Sequence, residues 1–183
     1  MELIDILDEN GNPAGVIKNR KEVHENGLWH RVVHIWILNS KGELLLAQRA
    51  AGKKTYPGFW GISCEGHISA GQSSVEGALR ELKEELGLDF SQDDLTLLFK
   101  LKNKTITNNG TYFGNHFIDL YLIERDLNET GLHLQEEEVS AIRWIKYQEL
   151  EQIYLRNDPG YKHYKESPQF FDFLRAKINT GIK

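Results

Sequence analysis

The 183-residue sequence carries a single cysteine, Cys64, so no disulfide can be closed within the chain. Its four prolines and scattered glycines build neither a collagen-like period nor a low-complexity tract. No apolar run approaches the roughly 20 residues that span a bilayer. The nearest, Val32 to Leu38, is short and interrupted by His34. A basic excess is missing as well: 22 basic against 27 acidic residues leave a net charge of −5. That balance argues against a broad footprint for a nucleic-acid polymer, so an anionic partner needs a local basic site or a bridging cation. Met1-Glu-Leu-Ile-Asp has neither the basic nor the apolar pattern of a leader. With the lone cysteine, this sets the expectation of a cytoplasmic protein with no membrane association.

Apolar material is in ample supply. Hydrophobic residues make up 40% of the chain, with four Trp, seven Tyr and eight Phe. One compact domain over residues 1–183 is the expectation. Leu3, Ile4, Ile6 and Leu7 lead into Asp8 to Pro13, and Val16-Ile17 resumes beyond, so residues 1–18 read as a hairpin. Asn19 to Leu28 reads only as a charged segment. A second hairpin is signalled where Val32 to Leu38 and Leu44 to Ala47 flank Asn39-Ser40-Lys41-Gly42.

From Ala50 to Gly66 the periodicity breaks into Gly, Lys, Pro and aromatics, the mark of a functional loop. Ser73 to Leu86 then places Val75, Ala78, Leu79, Leu82 and Leu86 on one helical face, with Ser73 and Glu76 as a capping box and Gly87 as a left-handed cap. Strands are predicted at Leu95 to Leu101, Phe117 to Ile123 and Val139 to Ile145, with a turn around Asn108-Asn109-Gly110. Helices are predicted at Tyr147 to Leu155 and Pro168 to Ile178, the second opening behind a Ser167 cap. The fold class is α+β.

The central helix carries the chemistry. At about 100° per residue, Glu81, Glu84 and Glu85 fall in a wedge about 100° wide beside the apolar face, so three carboxylates converge. Helix stability does not ask for this. Like charges at i,i+4 and anions near a helix C-terminus each cost a few tenths of a kcal/mol. Mg²⁺ and Mn²⁺ do ask for it, because hard cations take carboxylate oxygens while substrate phosphates complete the shell. The competing reading is a solvated acidic face balanced by Arg80 and Lys83. It leaves unexplained why Gly66, Arg80, Glu81, Glu84, Glu85 and Gly87 coincide, an accident on the order of 10⁻⁷ per starting point from average residue usage.

Those residues resemble the Nudix box, Gly-x5-Glu-x7-Arg-Glu-U-x-Glu-Glu-x-Gly-U with U aliphatic, over residues 66–88, with Leu82 and Leu88 at the U positions. One fixed position departs, Gln72 standing where the first box Glu belongs, which bears on loop geometry and metal affinity. The resemblance implies an α/β/α sandwich with a mixed sheet, and a Mg²⁺- or Mn²⁺-dependent pyrophosphohydrolase acting on a small-molecule diphosphate such as a nucleoside diphosphate derivative. Glu84 and Glu85 would hold the cation, Glu81 would add a ligand or act as base, Arg80 would orient the glutamates, and Gly66 would turn the loop. A homodimer is common in the family.

A wider likeness, over about residues 2 to 150, is to the Nudix-fold type I isopentenyl diphosphate isomerases. It rests on the opening hairpin, the histidines at 24 and 30, Gln48 to Trp60, and Gly66-His67. Isomerisation is therefore a rival reading. Against it, Glu65 stands where those enzymes place a catalytic Cys, and Gly114-Asn115-His116 lacks their two later glutamates. A noncatalytic nucleotide- or metal-binding module is the other alternative, if Gln72 spoils the loop.

The likeness also makes Arg49, Lys53 and Lys54 candidates for binding the diphosphate, as against solvated loop cations. His30 and His67 match isomerase metal positions, but without the later glutamates the set that includes His24 is incomplete. His34 reads as a core histidine and Cys64 as a small buried side chain. Tyr56, Phe59 and Trp60 either anchor the loop or stack on a base. Glu138 is a candidate extra ligand, a solvated turn being the alternative.

Overall fold

The computed structural model describes residues 2–128, 131–164 and 166–179. The predicted first hairpin is β1 (Leu3–Leu7) and β2 (Pro13–Asn19), antiparallel and separate from the main sheet. The charged segment after it is partly helical: α1 (Arg20–Glu25) starts at Asn19, whose Oδ1 accepts from the Glu22 amide at 3.0 Å. Asn19 with Glu22 three residues on is a capping signal. Six residues are too few to show a helical hydrophobic period, which is why the segment reads as coil from sequence.

Among the described residues the other strands form one seven-stranded mixed sheet. Its centre is β3 (His30–Leu38), which meets β4 (Glu43–Arg49) through the second predicted hairpin. The short β5 (Trp60–Gly61) pairs with β4, and β6 (Cys64–His67) runs antiparallel to β3. The carboxylate helix is α2 (Ser74–Leu86). Beyond it β7 (Thr96–Thr107) and β8 (Tyr112–Glu124) form a hairpin whose arms are longer than the predicted strands, and β8 runs parallel to β3. The polar run Lys102-Asn103-Lys104 between Leu101 and Thr105 hides this extension, because hydrogen bonds to β8 rather than an apolar pattern carry the arm. Finally β9 (Val139–Lys146) pairs with β4 and is followed by α3 (Tyr147–Leu155) and α4 (Ser167–Asn179).

Strand alternation explains the layers. On β3, Val33, Ile35 and Ile37 face Ala78, Leu82 and Leu86 of α2. The intervening Trp36 and Leu38 face Leu150 and Ile153 of α3 and Phe170, Phe171 and Leu174 of α4. Two apolar layers on opposite faces of one sheet make the α/β/α sandwich. Trp36 stacks on Phe170 at 5.0 Å, pinning the last helix to the sheet.

The start of α2 is fixed by the capping box: the Ser73 amide donates to Glu76 Oε2 at 2.8 Å, and Ser73 Oγ accepts from the Glu76 amide at 3.2 Å. Gly87 ends it at φ +69, a left-handed value that glycine adopts without strain. Ser167 does not cap α4 as expected. It is the first helical residue, and its buried hydroxyl has no partner among the described residues.

Candidate active site

A cavity of about 720 Å³ opens where α2, β3, β6, the inner part of the β7–β8 hairpin, the loop after β4 and the segment before α4 come together. Glu81, Glu84 and Glu85 all reach it. Their placement follows from the apolar stripe of α2. Seating Ala78, Leu82 and Leu86 against the sheet turns Glu81 and Glu85 inward, to 8% and 9% exposure, and leaves the Glu84 side chain half exposed.

Arg80 binds this group together. One terminal nitrogen donates to Glu81 Oε1 at 2.8 Å and to the His67 carbonyl at 2.7 Å, the other to Glu84 Oε2 at 2.8 Å. Its Nε donates to Gln72 Oε1 at 3.2 Å. Gln72 thus keeps an acceptor where the box has Glu, but contributes no charge. Gly66 is required here for space: a Cβ on it would lie 2.0 Å from Glu81 Cδ.

Burial raises the Glu81 carboxyl to about 7 despite Arg80, and raises Glu85 to about 8 with help from the Glu81 charge. Buried carboxyls with such an appetite for positive charge suit a divalent cation, and an all-oxygen donor set fits Mg²⁺ or Mn²⁺. The expected convergence is looser than the helical wheel implies, because Arg80 occupies one oxygen of Glu81 and one of Glu84. Among the described residues, the side chains whose ligand atoms already gather within 4.8 Å of one another are four histidines instead.

The opposite wall is cationic but largely committed. Arg49 Nη1 lies 2.7 Å from Glu65 Oε1, and its Nε donates to the Thr55 carbonyl at 3.0 Å. Lys53 pairs with Glu138, and both line the cavity, so Glu138 sits in the wall rather than in a solvated turn. Lys54 is exposed and outside the cavity wall. Lys162 escaped the sequence reading. It lies 2.6 Å from both oxygens of Glu65. Burial alone would raise the Glu65 carboxyl, yet Lys162, Arg49 and His34 hold it well below the usual carboxylate range. No local pattern around Lys162 announces this, since its partner is 97 positions away.

His34 is buried between Glu166, which its Nδ1 meets, and Glu65, 3.7 Å from its Nε2. It is a partnered core histidine at the edge of the cavity. Cys64 is 1% exposed, and burial with the nearby Glu85 and Glu81 charges pushes its thiol far up, the reverse of what a nucleophile needs. Trp60 packs on the sheet under the Arg143 guanidinium at 4.2 Å and anchors the loop, while Tyr56 faces the cavity.

The chain matches the NUDIX domain family over residues 28–166. It is 38% identical over 190 aligned positions to Nudix hydrolase 3 of Arabidopsis thaliana, with all of this chain covered but only 25% of that protein. The chain thus spans a quarter of that relative's length. It is also 33% identical over 162 positions to an isopentenyl-diphosphate Delta-isomerase of Dictyostelium discoideum, covering 78% of this chain and 66% of that one. A crystal structure of a Deinococcus radiodurans protein superposes with a TM-score of 0.66 at 20% identity, covering 96% and 98% of the two chains. The chain belongs to the Nudix family, and its fold is the Nudix fold.

Proposed function

We propose that this protein is a Mg²⁺- or Mn²⁺-dependent pyrophosphohydrolase that cleaves the diphosphate bond of a nucleoside diphosphate derivative or a related small organic diphosphate. The observation that carries the reading is the set Glu81, Glu84 and Glu85 on one cavity wall, two of them buried and raised to about 7 and about 8. Glu84 and Glu85 would hold the cation, with Glu81 as a further ligand or as the base that takes the proton of the attacking water. When bound, the cation supplies charge for the phosphate oxygens and acidifies its water.

The chain's own groups do the rest. Arg80 orients Glu81 and Glu84 through its fork and fixes the β6 backbone at His67. Arg49 and Lys53 stand on the wall where a diphosphate would lie, and Lys162 sets the position of Glu65 beside them. Isomerisation is disfavoured because Glu65 is locked in ion pairs and Cys64 is sealed away from the cavity. Among the described residues no helix is long and apolar enough to cross a membrane.

The deciding experiment is phosphate release and product mass across a panel of nucleotide and prenyl diphosphates, with and without Mg²⁺. Hydrolysis that needs the cation and falls by orders of magnitude in Glu84→Gln and in Glu85→Gln supports the reading. Retained turnover in both variants, or double-bond migration without phosphate release, overturns it.

A further inference from the structure

The inner face of β7 changes character along its length. Residues two apart on a strand share a face, so Leu101, Asn103, Thr105 and Thr107 look one way while Lys100, Lys102, Lys104 and Ile106 are exposed on the other. Leu101 packs against the core that holds α3 and α4, whereas Asn103, Thr105 and Thr107 line the cavity. Packing alone gives no reason for this switch. Valine fills the space of threonine without a hydroxyl and suits a strand as well, so a wall kept only for its shape would use it.

Among the described residues, the buried side-chain polar atoms of the cavity wall that reach no hydrogen-bond partner are Asn103 Oδ1, Thr107 Oγ1 and His116 Nε2. His116 belongs to the cluster it forms with His24, His30 and His67. The other two stand on β7 with Thr105 between them. Thr105 is held only loosely, its hydroxyl donating to the Gly114 carbonyl at 3.5 Å, the outer limit for such a bond. A Cβ at Gly114, which stands opposite Thr105 in the β7–β8 ladder, would come within 2.5 Å of that hydroxyl oxygen, so glycine leaves it room. Buried polar atoms without partners are costly, and two on one strand face call for a ligand that satisfies them.

The cations of the other walls are already engaged. Arg49 and Lys162 grip Glu65, Lys53 pairs with Glu138, and Arg20, which also lines the cavity, pairs with Glu2 at 3.0 Å. With a diphosphate at the glutamates and at Arg49 and Lys53, the row on β7 is where the organic end of the substrate meets unused hydrogen-bonding capacity.

We infer that Asn103, Thr105 and Thr107 form a specificity subsite for an uncharged, hydroxyl-bearing organic group, so that the substrate is the diphosphate of a sugar rather than of a hydrocarbon chain. The inference rests on the hydrolase reading for the position of the diphosphate. Amide and hydroxyl side chains both donate and accept, as sugar hydroxyls do. Rotation about χ1 of Thr107 or χ2 of Asn103 lets either oxygen meet a group in the cavity. An alkyl chain laid on the row would seal those oxygens without partners. A site built to hydrogen-bond a hydroxyl therefore rejects an analogue that lacks it far more strongly than an apolar pocket rejects an added hydroxyl. A carboxylate or a further phosphate would find no cation in the row.

The test compares ribose 5-diphosphate with isopentenyl diphosphate, which carry the same diphosphate on a hydroxylated and on a hydrocarbon five-carbon group, using the full chain with Mg²⁺. The wild-type kcat/KM should favour the ribose compound by about 100-fold or more. In Asn103→Leu/Thr107→Val that preference should shrink by about 10–100-fold. A ratio of two substrates on one preparation cancels any general loss of activity or of folded protein. Thr107→Ser, which keeps the hydroxyl, should retain the preference. Equal handling of both compounds by the wild type, or an undiminished preference in the double variant, overturns the subsite. Failure to hydrolyse either compound tells against the hydrolase reading, and the subsite is then decided by calorimetry with their non-hydrolysable methylene analogues. The same preference and the same loss are expected there, and equal or absent binding overturns the subsite. Should the double variant fail to fold, Thr107→Val alone should shrink the preference, and an unchanged ratio overturns the inference.

Discussion

Gly66 and Glu81 occupy space that only a glycine can share: a Cβ at position 66 would lie 2.0 Å from Glu81 Cδ and 2.4 Å from its Cγ. Gly66→Ala should therefore expel the Glu81 carboxylate from its contact with Arg80. The overpacking should cost about 1–3 kcal/mol of stability, while kcat/KM falls by more than about tenfold, equal to 1.4 kcal/mol of transition-state stabilisation. Urea denaturation and steady-state kinetics on the same preparation separate the two effects. Wild-type kinetics in this variant would remove Glu81 from the mechanism.

Glu81 and Glu85 titrate as neighbours, at about 7 and about 8, so these values describe the pair. Both are raised above the ordinary ~4.3 of a glutamate. Their contribution to stability is thus fully present only below ~4.3 and is lost as pH rises from there through about 7 and about 8. A divalent cation needs the deprotonated forms, so the sign reverses when it binds. Mg²⁺ should raise Tm more at about pH 8.5 than at about pH 6, and the acid limb of kcat/KM should move to lower pH as Mg²⁺ is increased. A limb indifferent to Mg²⁺ would contradict the metal role of these carboxylates.

Glu65 is clamped between Arg49 and Lys162 with all three side chains under 20% exposed. Glu65→Gln strands two buried cations and should destabilise the fold by about 3–5 kcal/mol near neutral pH. Because the folded carboxyl titrates below its unfolded value, the wild-type advantage is present above ~4.3 and fades as pH falls below it. Chemical denaturation at neutral and acid pH measures the difference. A variant as stable as wild type at neutral pH would show that solvent screens the network.

Lys53 and Lys54 are adjacent in sequence but differ in position, Lys53 in the cavity wall against Glu138 and Lys54 outside it. Lys53→Ala should raise KM for a diphosphate substrate by about 10–150-fold, the equivalent of the ~1.5–3 kcal/mol of a hydrogen bond to a charged group. Lys54→Ala should leave KM within error. Equal effects from both would mean that the loop closes differently over substrate.

Much of the site was legible because it is local. The apolar stripe of α2, its Ser73 cap, its Gly87 stop and the glutamates beside the stripe lie within one helix, where a period of 3.6 converts spacing into direction. The charged stretch containing α1 and the polar arms of the β7–β8 hairpin were not legible as elements, since neither shows an apolar period. Arg49 shows the limit of residue type alone. Sequence makes it a phosphate-binding candidate, whereas in the fold its guanidinium already grips Glu65 and the Thr55 carbonyl.

The amino-acid order by itself determined the box motif that marks the family and the inward-facing acidic helix, because both rest on residues a few positions apart, while the α/β/α layering was implied only by the resemblance. Only the tertiary structure decided that Lys162 locks Glu65 and that His116 joins histidines 24, 30 and 67. Those residues meet across β3, β6 and β8, and strand register is set by the packing of the whole sheet rather than by any short stretch of sequence.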